Sequence, residues 1–82
     1  MMKEKARNLL AQLNTNQRGQ SITRFVVHFI LRGSSMDDAI QETKQLTYQR
    51  PELFTDDWVS AHATLSHFFA DEMKAAGYEV IE

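Results

Sequence analysis

The sequence predicts an all-α protein, a compact bundle of four helices with antiparallel neighbours and a short C-terminal tail. Three observations predict it. Apolar residues recur at the helical period of about 3.6 through most of the chain. Helix-stopping residues are scarce, three glycines and one proline, and each stands where a helical pattern ends. Serine, threonine and aspartate stand where the patterns begin. The chain has 82 residues, a length that suits one domain, here taken as residues 1–82. At that size burial and chain entropy nearly balance, so a monomer and a homodimer are both compatible with the sequence.

The first helix is expected over about 3–14. Ala6, Leu9, Leu10 and Leu13 share a side at the i, i+3, i+4, i+7 spacing, and Glu4 sits in the first turn. Residues 14–19, Asn-Thr-Asn-Gln-Arg-Gly, read as a polar loop.

The second helix is expected over 21–32, with Ser21 as its N-cap. Ile22, Phe25, Val26, Phe29 and Ile30 form an apolar face that Val27 and Leu31 widen. So wide a face suits a central helix packed on several neighbours. Phe25 to Ile30 is also rich in β-branched and aromatic residues, the composition of a buried strand. The uninterrupted length of the segment favours the helix, and Gly33 is placed to end it as a left-handed C′ residue.

Ser35 followed three residues later by Asp38 opens the third helix, over 36–49, in the manner of a capping box. Asp37 and Asp38 lie where the helix dipole favours negative charge. Ala39, Ile40, Thr43 and Leu46 form its inner face. It should stop near Gln49, because Arg50 precedes Pro51 and is pushed toward extended geometry. Glu52-Leu53-Phe54 reads as a short connection, with one helical turn as an option.

The fourth helix is expected over 56–76. Thr55 is its cap, and Phe54 packs on Val59 as a hydrophobic staple. Trp58, Ala61, His62, Leu65, Phe68, Phe69 and Met73 sustain the period, and Gly77 ends it. Residues 78–82 are too few to assign.

Composition removes several function classes. With no cysteine there is no disulfide framework, thiolate zinc site or thiol nucleophile. Hydrophobic residues at 43 %, with one Trp, two Tyr and five Phe, exclude a disordered chain. The longest apolar stretch, Phe25 to Leu31, is interrupted by His28 and is too short to span a bilayer. Residues 1–13 lack the apolar core of a secretory signal, so the expected location is cytoplasmic.

A net charge of −2 hides an asymmetry. Residues 1–50 carry eight basic and four acidic side chains, whereas residues 51–82 carry one basic and seven acidic. Such polarity serves either an internal match of the halves or a face offered to a partner.

Two constellations stand out. Tyr48, Arg50, Phe54 and Trp58 gather around Pro51, with Asp56 and Asp57 beside them. Aromatics and arginine anchor interfaces, and an acidic rim suits a basic partner. The same aromatics would equally serve as a plug under the loop. The second constellation is Arg24, His28 and Arg32 at i, i+4, i+8, which with Arg18 forms a candidate anion or nucleic-acid stripe. Its plainer role is the polar edge of a buried helix, solvated or paired with Asp71, Glu72 or another carboxylate of the last helix. A helix-turn-helix around Gly33 fits poorly, because Asp37 and Asp38 would face phosphates.

Nothing points to catalysis. His62 and His67 are five apart, so their rings diverge by about 140° and do not chelate one metal. His67 and Asp71 stand at i, i+4 but lack a nucleophile. No glycine-rich loop is present to cradle a phosphate, and no cofactor or metal is expected. The sequence therefore leads to a non-enzymatic interaction or regulatory protein. Its partner is expected to be a protein that meets the acidic and aromatic surface. Nucleic acid bound by the basic N-terminal half is the alternative.

Overall fold

A computed structural model describes residues 2–13 and 21–81. Among these, five α-helices follow one another: α1 (Met2–Gln12), α2 (Ile22–Leu31), α3 (Met36–Gln49), α4 (Trp58–Phe68) and α5 (Ala70–Ala75), with a 3-10 turn at Pro51–Leu53 between α3 and α4. The chain is all-α, and no described residue belongs to a β-strand. Phe25 to Leu31 lies within α2, so length prevails over β propensity there.

The wide apolar face of α2 does what its width requires. The helix touches α1, α3 and α4, and Ile22, Val26, Val27 and Ile30 are almost completely buried. They pack with Ala6 and Leu9 of α1, Ala39 and Ile40 of α3, Ala61 and Leu65 of α4, and Met73 of α5.

The caps set the boundaries. Ser21 Oγ accepts from the Arg24 amide at 3.0 Å, and Ser35 Oγ accepts from Asp38 at 3.2 Å. At the other end of α2, Gly33 adopts φ +109. Its amide reaches the Ile30 carbonyl and that of Ser34 reaches Phe29, both at 3.0 Å. This is a Schellman motif, and it needs the left-handed residue that glycine supplies. Gly77, at φ +90, repeats it after α5, with Gly77 bonded to Lys74 and Tyr78 to Met73. That turn folds residues 78–81 back on the bundle, where Tyr78 and Val80 pack against the core.

Four expectations need correction. The rod expected over 56–76 is two helices. Phe69 leaves helical geometry (φ −125, ψ 37) as the C-cap of α4 and the N-cap of α5. Its ring is fully buried, and the bend lets α5 reach α3 and α1, through Lys5 and Glu72. Tertiary packing makes this break, since neither glycine nor proline stands there.

Secondly, α4 is capped by Asp57 and not by Thr55. Its Oδ1 accepts from the Ser60 amide at 2.9 Å. Asp56 is engaged elsewhere: its Oδ1 accepts from the Ile22 amide at 2.8 Å and so serves the N-terminus of α2. Thirdly, the staple does not form. Val59 is 76 % exposed, and Phe54 stacks instead on Phe25, with ring centroids 4.8 Å apart. Finally, α1 ends at Gln12, short of residue 14.

Candidate functional site

The site candidates separate into three places. The first is the corner where α3 ends, the 3-10 turn crosses and α4 begins. Proline 51 sets this corner by stopping α3 at Gln49 and opening the turn. A groove of about 170 Å³ lies there, with Ile22, Phe54 and Trp58 as its apolar lining and Asp56 and Asp57 among its walls.

Of the residues assigned to this corner, the structure brings Phe54, Asp56, Asp57 and Trp58 around one groove. Tyr48 follows groove-lining Thr47 and is 85 % exposed, the most open large apolar side chain among the described residues. Phe54 is half-buried on Phe25, so it forms part of the floor and is not a free anchor. Trp58 is fixed by its Nε1 donating to Thr47 Oγ1 at 3.2 Å. Arg50 bonds to Glu52 across the turn, which holds the Glu52 carboxyl below its ordinary range. That pair largely cancels in charge, so Asp56 and Asp57 define the sign of the rim.

Both aspartates use Oδ1 for a helix N-terminus. The backbone amide of Ser60 lowers the Asp57 pKa, so it is ionised at neutral pH. Both carboxylates are exposed, within reach of a basic group. Val59, exposed on the first turn of α4, was missed by sequence reasoning. The sequence pairs it with Phe54 as a staple, but Phe54 packs on Phe25 and the cap is Asp57, two residues after Thr55.

The second place is the basic stripe. Arg24 and His28 line a cleft of about 380 Å³ with Leu10, Phe25 and Leu31. His28 and Arg32 are exposed, and His28 meets the Phe29 ring edge-on at 5.9 Å. The expected pairing with Asp71 or Glu72 does not occur. Glu72 takes Lys5, with both carboxylate oxygens 2.9 Å from Nζ. Among the described residues, Arg24 and Arg32 have no ion-pair partner. Arg18 lies outside the described residues.

The third place was not assigned as a site from the sequence. Lys44 of α3 sits over the rings of Trp58 and Tyr78, 5.8 and 5.9 Å from their centroids, at the mouth of a cavity of about 200 Å³. The pairing depends on the fold-back after Gly77, for which residues 78–82 carry no periodic pattern.

The histidines do not converge. His62 Nε2 lies 2.6 Å from the Glu79 carbonyl, and His67 is exposed beside the Phe68 ring. The break at Phe69 separates His67 from Asp71, and no hydrogen bond joins them. Among the described residues no three His, Asp or Glu side chains gather as metal ligands, and no helix is long and apolar enough to cross a membrane.

Compared with protein-family models, curated proteins and solved structures, the chain matches none of them.

Proposed function

We propose that this is a non-enzymatic interaction module whose groove at the α3–α4 corner receives a basic protein segment carrying an apolar side chain. The observation that carries the reading is the combination at that corner of an apolar groove, two exposed capping aspartates and a nearly fully exposed Tyr48. Tyrosine at such a position supplies contact area at low entropic cost. The acidic rim selects positive charge and steers its approach. It also disfavours a second copy across a two-fold axis, because the same aspartates would then face each other. The core needs no disulfide, and the reading places the protein in the cytoplasm.

Titration of the labelled protein with basic peptides that carry one leucine or phenylalanine tests the proposal. The amide resonances of Thr47, Tyr48, Trp58 and Val59 should move together. Tyr48→Ala should weaken binding about tenfold, equivalent to about 1.4 kcal/mol, with an unchanged melting temperature. Shifts confined to another face, or none, would overturn it.

Arg24 and Arg32, without an ion-pair partner among the described residues, favour a second reading, in which α2 meets phosphates. Binding to short DNA or RNA would then fall steeply with salt, and Arg24→Ala with Arg32→Ala would weaken all sequences alike. A flat titration at low salt removes it.

A further inference from the structure

The cavity beneath Lys44 has the parts of a ligand site, and they come from four elements. Ile40 and Lys44 are one turn apart on α3, while Trp58, His62 and Leu65 follow the period of α4. Met73 comes from α5 and Tyr78 from the segment that the Gly77 turn folds back. Ile40, Leu65 and Met73 are buried and form an apolar floor. The two rings above it are held by hydrogen bonds: Trp58 Nε1 to Thr47, and the Tyr78 hydroxyl, which donates to Asp37 and accepts from Gln41.

An aromatic pair of this kind ordinarily receives a cation. Here the chain supplies its own, since Lys44 Nζ lies over both faces. A cationic ligand would find the place filled and the charge repulsive. Among the described residues Lys44 has no carboxylate within ion-pair distance, so an anion is the charge this site lacks. His62 is committed to the Glu79 carbonyl through Nε2, and when neutral it presents an acceptor at Nδ1. Lys44 is the only lysine or arginine among the described lining residues. The size sets the rest. A dry apolar cavity of about 150 Å³ holds benzene, and this one is about 200 Å³.

We propose that the cavity binds a small apolar carboxylate with a single ring or a branched body. The body lies on the floor beneath the two rings, and the carboxylate pairs with Lys44 Nζ. Burial of the body provides affinity, and the charge pair provides selectivity against neutral and cationic analogues. The site does not depend on the groove at the corner, although Trp58 forms a wall of both.

Phenylacetate and its neutral isostere phenylacetamide are the probes. Binding is read from the indole resonance of Trp58, the sole tryptophan, and from the methyl of Met73, with Met36 as a control that does not line the cavity. Phenylacetate should shift Trp58 and Met73 saturably and leave Met36 in place. Phenylacetamide should bind about tenfold more weakly, a difference of about 1.4 kcal/mol. Lys44→Met, which keeps an apolar stem, should remove that preference while the methyl shifts persist at high ligand. Lys44→Arg should retain the preference, and Tyr48→Ala should leave phenylacetate binding unchanged. An unshifted Met73 at millimolar phenylacetate would overturn the proposal. So would equal affinity for the two probes, or a preference that survives Lys44→Met.

Discussion

The Tyr78 hydroxyl donates to the carboxylate of Asp37, 41 residues earlier in the chain. Asp37 lies in the first turn of α3, where the helix dipole already favours its charge. The bond ties the segment after α5 to the start of α3, and Gln41 adds a second tie at 3.0 Å. This is the arrangement that stands the Tyr78 ring beside Lys44.

Tyr78 is expected to show in the alkaline limb of stability. Partial burial raises its pKa above the ordinary 10.0, and the bond to Asp37 adds to the rise against the opposing effect of Gln41. An acid held protonated by the fold stabilises it below the unfolded pKa and loses that contribution as pH rises through the folded value. The Tyr78 contribution to thermal melts should therefore be level up to about pH 10 and fall above it. Tyr78→Phe should flatten that fall and lower stability at neutral pH by less than about 1 kcal/mol. An unchanged alkaline limb in Tyr78→Phe would show that the hydroxyl contributes nothing there.

Glu72 should govern part of the acid limb. Burial by itself would raise its pKa, but the hydrogen bond from Lys5, the Glu72 backbone amide and the Lys5 charge outweigh burial. The net position lies below 4.5. A depressed carboxylate stabilises the fold above its unfolded pKa and loses that contribution as pH falls through the folded one. Glu72→Gln should cost about 0.5 kcal/mol at neutral pH, as a partly exposed pair does. The cost should begin to shrink as pH falls below the ordinary 4.5 and disappear once pH has passed the lower folded value. Denaturant melts at several pH values measure both.

Asp56 is expected to matter to α2 more than to its own helix. Asp56→Ala strands the Ile22 amide and should cost about 1 kcal/mol. Asp56→Asn keeps an acceptor and should cost less. Hydrogen exchange should show faster opening at the first turn of α2 in the alanine variant, with α4 unchanged. Faster exchange in α4 alone would contradict the assignment.

The α4–α5 junction should respond in two opposite ways. Phe69 is fully buried, and Phe69→Ala should cost about 3–5 kcal/mol, enough to unfold a domain of this size. Ser66 is also buried, and its Oγ has no protein partner among the described residues. Ser66→Ala should therefore be neutral or stabilising by up to about 1 kcal/mol. Calorimetry of both variants checks the contrast.

Much of the bundle was legible beforehand because local chemistry fixes it. Ser21, Ser35, Gly33, Pro51 and Gly77 each act within a turn of their own position, so α2, α3 and the end of α5 fell close to their expected limits. Phe54, Asp56, Asp57 and Trp58 meet at the corner groove because they are close in sequence, whereas Tyr48 and Arg50 do not line it and Ile22 reaches it from α2. The break at Phe69 was not, because Ala61, Leu65, Phe69 and Met73 keep an unbroken helical period. Only competition for space in the core bends the backbone there.

Periodicity and caps thus settled which segments coil and which sides face inward, because those choices depend on neighbours within about four residues. Packing alone decided that Asp56 serves a helix 34 residues away, that Glu72 meets Lys5 instead of the α2 arginines, and that Tyr78 closes over Lys44. Each of those partnerships is a long-range contact between groups with several local alternatives. The shape of the filled core selects among them, and no pattern in a linear stretch records that shape.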